Sequence, residues 1–236
     1  MPNPPLLVCD TDALVQLLLV NELRPFRILK INYGIQPVIV PEVENELRVH
    51  RKYRDQIEAR LDKALTTGII VVLDRATIQA CLASSESAIP TAAAQSTMER
   101  IQSLGAEYNV PVDLGEAYTL AAAVVLEVPA LSNDRTALNS LNNADLAVPS
   151  PVLRTFDVIA FGSQVHLLSE ADCELIRKAL IREGEWVPKE FRSSSFAAGL
   201  PSFCARLLDR SALAVGAAPS HGHAYARQLI ISSKSS

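Results

Sequence analysis

The chain has 236 residues, 49% hydrophobic and 20% charged, with a formal net charge of −4 at pH 7. That length can bury a substantial core, and 9 glycines and 14 prolines are too few for a fibrous or low-complexity chain. The slight acidity argues against a general nucleic-acid coat protein but not against a nuclease, whose metal-binding carboxylates themselves lower the total. Cys9, Cys81, Cys173 and Cys204 form no CxxC pair, so they read as reduced thiols rather than a disulfide framework or a zinc site. The opening MPNPP lacks a basic signal region and no apolar run nears the roughly 18 residues of a membrane span, which predicts a cytoplasmic protein.

Strand and helix patterns alternate along the chain. Residues 5–9, PLLVC, are a short apolar run like a strand buried on both faces, and a helical pattern follows over 13–21. Asp10 and Asp12 sit at the carboxyl end of that strand. Residues 37–40, PVIV, repeat the device; Pro41 then opens a helix carrying Glu42, Glu44 and Glu46, expected to continue toward Leu65 because proline suits a first helical turn. GIIVVL, 68–73, reads as a third strand. Helices are expected over 76–82 and 95–108, with the Ser- and Ala-rich SSESAIPTAAA between them as an exposed loop. DLGEAYTLAAAVVL predicts a helix over 114–126, followed by a short strand over 128–131 and helices over 151–161 and 170–182. Beyond about residue 191 the chain is Ser- and Ala-rich, with a helix hinted over 203–213.

Alternating strands and helices imply crossover connections, hence an α/β fold with a central parallel sheet and helices on both faces. The expected division is a domain over 1–190 and a partly ordered C-terminal extension over 191–236, dispensable for chemistry. In such sheets ligands bind outside the carboxyl ends of the strands. Asp10 follows the first strand, Glu46 lies in the helix after the second, Glu116 opens the helix over 114–126, and Asp134 follows the strand over 128–131. A cluster of unpaired carboxylates repels itself, and magnesium and manganese prefer such oxygen ligands, so a metal site is expected at Asp10, Glu46, Glu116 and Asp134. Each has a structural competitor. Asp113 and Glu116 have capping-box spacing, with Asp113 read as the cap, and Asp12 suits a helix N-terminus.

These residues also resemble a known family, the PIN-domain ribonucleases. LLVCDTDALVQLL is similar to the family's first motif, VPEVENELR to its second, DLGEAYTLAAA to its third and LSNDRTAL to its fourth. The similarity covers roughly residues 5–190, and its four motifs follow in the family's order. The resemblance implies a PIN-like fold and magnesium- or manganese-dependent hydrolysis of RNA phosphodiesters, with catalytic and metal-binding roles for Asp10, Glu46, Glu116 and Asp134. It brings single-stranded RNA as a partner, and with it a small antitoxin protein and a homodimer as further expectations. The stretch between Glu46 and Glu116 is longer than in compact members, so substrate access does not carry over. Arg48, His50, Arg51, Lys52 and Arg54 form a basic run after Glu46; Arg48, Arg51 and Lys52 are the expected contacts to substrate phosphates.

Two other classes stay open. VCDTDALV also resembles the Asp-x-Asp opening of haloacid-dehalogenase-type phosphatases, in which Asp10 would attack phosphorus and Asp12 act as acid and base. The third is a binding module on the PIN scaffold that no longer cleaves. His221 and His223 have no nearby donor and are left unassigned, and Trp186 is expected to pack against the body rather than stack on a base.

Overall fold

The computed structural model describes residues 6–20, 23–83, 91–149 and 151–214. Their short apolar runs assemble into one sheet of five strands: β1 (Leu6–Cys9), β2 (Gln36–Ile39), β3 (Val71–Val72), β4 (Ala130–Leu131) and β5 (Val152–Leu153). The spatial order is β3, β2, β1, β4, β5 and every pair is parallel. β1 is central and buried throughout, which is why LLVC carries no polar residue to alternate with its apolar ones.

Twelve helices join and follow these strands among the described residues: α1 (Thr11–Leu19), α2 (Arg24–Tyr33), α3 (Pro41–Arg48), α4 (Arg54–Thr66), α5 (Arg75–Ala83), α6 (Thr91–Tyr108), α7 (Leu114–Leu126), α8 (Arg135–Asn143), α9 (Thr155–Gln164), α10 (Glu170–Glu183), α11 (Lys189–Arg192) and α12 (Phe196–Ala214). α7 and α10 fall where the sequence pattern puts them. Glu127, in the left-handed region at φ +55, ends α7 and turns the chain back toward β4. Of the expected loop between α5 and α6, residues 84–90 lie outside the described residues, and its last residues, from Thr91, already belong to α6.

Four features differ from the sequence pattern. The single helix from Pro41 toward Leu65 is two, α3 and α4, separated by a turn in which the Tyr53 N–H donates to His50 Nδ1 at 3.2 Å. The turn lets Tyr53 bury its ring and bring its hydroxyl within 3.1 Å of both the Glu183 carbonyl and Glu185 Oε1. The helix expected over 151–161 begins only at Thr155, because Val152 and Leu153 first pair with the open edge of β4. The residues after the last strand-end acid were given no helix, yet α8 forms there, capped by Asp134, which accepts the Thr136 N–H at 2.5 Å. α2 was likewise unforeseen.

The core runs without a break into the C-terminal helices. Phe191 stacks on Phe196 with ring centroids 4.9 Å apart, on Phe156 at 5.2 Å, and meets Phe203 at 5.0 Å. All four rings are buried, so α12 is joined to the body by the same apolar contacts that hold α9. No helix of the described residues is long and apolar enough to cross a membrane.

Candidate functional site

Register decides which residues meet at the carboxyl edge of the sheet. Cys9 pairs with Leu131, and Leu131 with Leu153. One residue beyond, Asp10, Ser132 and Arg154 stand side by side; the Asp10 N–H donates to the Leu131 carbonyl at 2.9 Å and the Ser132 N–H to that of Leu153 at 3.0 Å. The chain steps outward from β1 to β2 and β3, then returns to β4 on the other side of β1. Ligands of open parallel sheets bind at such a reversal of strand order, and here its two sides carry Asp10 and Asp134.

Asp10 joins β1 directly to α1 and is only 3% exposed. Burial pushes its carboxyl up to about 7, with Asp12 and Glu46 adding repulsion and the amides of Thr11 and Asp12 opposing. Glu116, 7% exposed, accepts the Ser132 hydroxyl at 2.7 Å. Burial first, then the charge of Asp10, raise it to about 8; Ser132 opposes, and Asp134 and Asp12 add to the rise. Ser132 also accepts the Asp134 N–H at 3.1 Å, so one hydroxyl links two of the acids. Asp12, at the solvent side, is raised by its own partial burial and by Glu185, Asp134 and Glu46, while His50 pulls the other way.

Glu46 reaches this group from α3. One carboxylate oxygen accepts the Thr11 hydroxyl at 2.5 Å and the other the Gly115 N–H at 2.8 Å. The second bond satisfies one of the unpaired donors that begin α7, using an acid from a different helix. A Cβ on residue 115 would lie 2.3 Å from Glu46 Oε2, so the approach needs glycine there. The competing capping box does not form, and the cap expected of Asp113 is not made: Asp113 holds the N-cap position without a side-chain cap bond, and Glu116 turns inward to Ser132.

A cleft of about 350 Å³ leads to the acids, with Val112, Leu114, Ala137, Glu116 and Asp134 in its walls and Val110, 87% exposed, among its lining residues. The basic run contributes less. Arg48 is held by Glu44 and Asp62, each at 2.9 Å; Arg51 is exposed in the turn between α3 and α4; Lys52 lies 4.4 Å from the centroid of the Tyr53 ring. His221 and His223 lie outside the described residues. Thr11, Gly115 and Ser132 were missed as site residues; the one signal in the sequence was a hydroxyl within two residues of a strand-end acid in both D-T-D and S-N-D.

Among the described residues no three His, Cys, Asp or Glu side chains are already gathered closely enough to hold a metal ion. The donor chemistry nevertheless suits one: every candidate is a carboxylate, and the charges acting most strongly on Asp10 and Glu116 are other carboxylates. A hard divalent cation would relieve that repulsion and draw the side chains inward. Comparison with family models, curated proteins and solved structures found no match to this chain.

Proposed function

We propose that this protein is a divalent-metal-dependent endoribonuclease with a PIN-like arrangement. Right-handed crossovers leading from β1 to β2 on one side and back to β4 on the other would put the connecting helices on opposite faces of the sheet. The observation that carries the reading is the pair Asp10 and Glu116, two almost fully buried carboxylates repelling each other at the reversal of strand order.

Asp10 and Glu116 would hold magnesium or manganese, with Asp134 and Glu46 completing the site directly or through waters. The bound ion would supply an activated water and stabilise the departing 3′ oxygen of the cleaved phosphodiester. The chain's own bonds hold the acids ready. Ser132 orients Glu116, Thr11 and Gly115 fix Glu46, and its role as cap of α8 fixes Asp134. The cleft mixes Val112, Leu114 and Ala137 with Asn109, Asp113, Thr136 and Ser140, and single-stranded RNA is taken as substrate from the family resemblance.

The test is manganese-dependent cleavage of a fluorescent single-stranded RNA by the wild type and by Asp10→Asn, Asp134→Asn and Asp113→Asn. The first two should lose on the order of a hundredfold or more in rate while keeping their fold, and the third should stay near wild type. Undiminished cleavage by the first two would reject the site.

A further inference from the structure

Arg154 continues the row begun by Asp10 and Ser132, on the next strand outward. Its guanidinium lies over the indole of Trp186, 5.4 Å from the ring centroid. Trp186 is 38% exposed, and its backbone is held from α1. Its carbonyl accepts Gln16 Nε2 of α1 at 3.1 Å, and Gln16 Oε1 accepts Asn133 Nδ2 at 3.1 Å. Asn133, beside Asp134, is tied in turn to Thr155 by bonds of 3.0 and 3.2 Å. α1 thus holds the backbone of Trp186 directly, the loop that leads to Asp134 braces Gln16, and the ring stays partly in water.

Asp157 and Asp134 lie near enough to attract Arg154, and Asp157 also feels Arg135 and Arg206, but neither acid is ion-paired with Arg154 or Arg135. Arg135, next to Asp134, and Arg154 form no ion pair among the described residues, and Arg135 is near enough to help hold Arg154 below its ordinary value, after burial. Arg206 is different, since Glu190 grips it at 2.6 and 2.9 Å. Asp157 accepts the backbone N–H of Arg154, leaving the guanidinium over the indole. Two unpaired arginines beside an exposed aromatic match the phosphate and the base of one nucleotide. At about 5 Å per strand, Arg154 is roughly 10 Å from the Asp10 position, the distance of a neighbouring phosphate rather than the one being cut.

We infer that Trp186 and Arg154 form a binding platform for single-stranded RNA: a nucleobase stacks on the indole, and the adjoining phosphate sits between Arg154 and Arg135. The inference rests on the nuclease reading for its location, but it is a statement about binding. Stacking accepts any base, so the platform gives affinity and register without sequence preference.

Trp186 is the only tryptophan in the chain, so intrinsic fluorescence reports on it alone. A short single-stranded oligouridylate is titrated into the wild type in EDTA and into Asp10→Asn in magnesium, with binding followed separately by anisotropy of a labelled strand. Saturable quenching is expected with the oligouridylate and none with a ribose-phosphate strand of equal length lacking bases. Trp186→Ala should weaken binding between about fivefold and a hundredfold, with Trp186→Phe restoring most of it. Arg154→Ala should weaken binding and lower its salt dependence by about one phosphate contact. RNA that binds with no quenching, or binds Trp186→Ala as tightly as wild type, overturns the platform. Cleavage in manganese with an unquenched tryptophan would overturn it and leave the nuclease reading standing; quenching without cleavage does the reverse.

Discussion

A carboxylate kept charged in a buried pocket is unfavourable in a way that its neutral acid is not, and Asp10 and Glu116 carry that cost. Their ordinary values, 3.8 and 4.5, rise to about 7 and about 8 in the fold. Between the two sets of values the folded chain holds protons that the unfolded chain has already released, so metal-free stability falls as pH rises from about 4 toward 8. Glu174, lowered to about 2 chiefly by Arg177, has the opposite sign but acts only below about pH 4.5. The melting temperature of metal-stripped protein should therefore drop between pH 5 and pH 8.5. Manganese should reduce the drop, and Asp10→Asn should lessen it without abolishing it, because Glu116 and the buried Asp157, raised to about 6, lose protons over the same range; scanning fluorimetry at both values checks this, and an Asp10→Asn profile as steep as wild type counts against the pair. Ser132→Ala removes the donor to Glu116 and the acceptor of the Asp134 N–H, at about 1–3 kcal/mol of stability. It should also push Glu116 further up, so the manganese concentration for half-maximal cleavage should increase.

At the scale of elements, the contact between α3 and the start of α7 is the joint on which the site turns. A methyl at residue 115 would collide with the Glu46 carboxylate, the free end of a flexible side chain. Gly115→Ala should therefore fold, with a melting temperature only slightly lowered, but with Glu46 swung off the helix end and manganese-dependent cleavage reduced at least about tenfold. Glu46→Gln, which can still accept the Gly115 N–H, should retain more stability than Glu46→Ala by about 1 kcal/mol in urea titrations. This joint also marks the limit of what could be read from the chain. α7 was legible because its signals are local: an acid-rich start, a long apolar run and a Pro-containing exit. So were the apolar runs of β1 and β2. The cap of α7 was not, because its donor and acceptor are 69 residues apart and the nearby Asp113 offered a local substitute. β5 was hidden for a related reason: two residues carry no periodicity, and only the open edge of β4 makes a strand of them. The break between α3 and α4 depends on where Tyr53 finds its partners, 130 and 132 residues away.

For the molecule as a whole, the position of α12 decides whether the chain after residue 191 is an appendage or part of the body. Composition favoured an appendage, because Ser and Ala dilute the apolar positions. The three phenylalanines at 191, 196 and 203 are spaced too widely to mark a helix face by themselves, yet in the fold they converge on Phe156 of α9. Polar bonds fasten the same joint: Glu174 accepts the Phe196 N–H at 2.8 Å, and Arg206 forks onto Glu190. Truncation after Arg192 would strip Phe196 and Phe203 from this cluster and expose Phe191 and Phe156. Phe203→Ala alone should cost about 3–5 kcal/mol, the range for emptying a buried aromatic site. Since α12 supplies none of the acids, its loss should act on folding rather than on chemistry. The expected outcome is a Phe203→Ala protein with a clearly lower urea midpoint that still cleaves RNA at near wild-type rate well below its melting temperature, and a truncated chain that is unfolded by circular dichroism. A truncated chain that folds with wild-type stability would make these residues an appendage. A stable Phe203→Ala protein that no longer cleaves would instead give α12 a part in the chemistry.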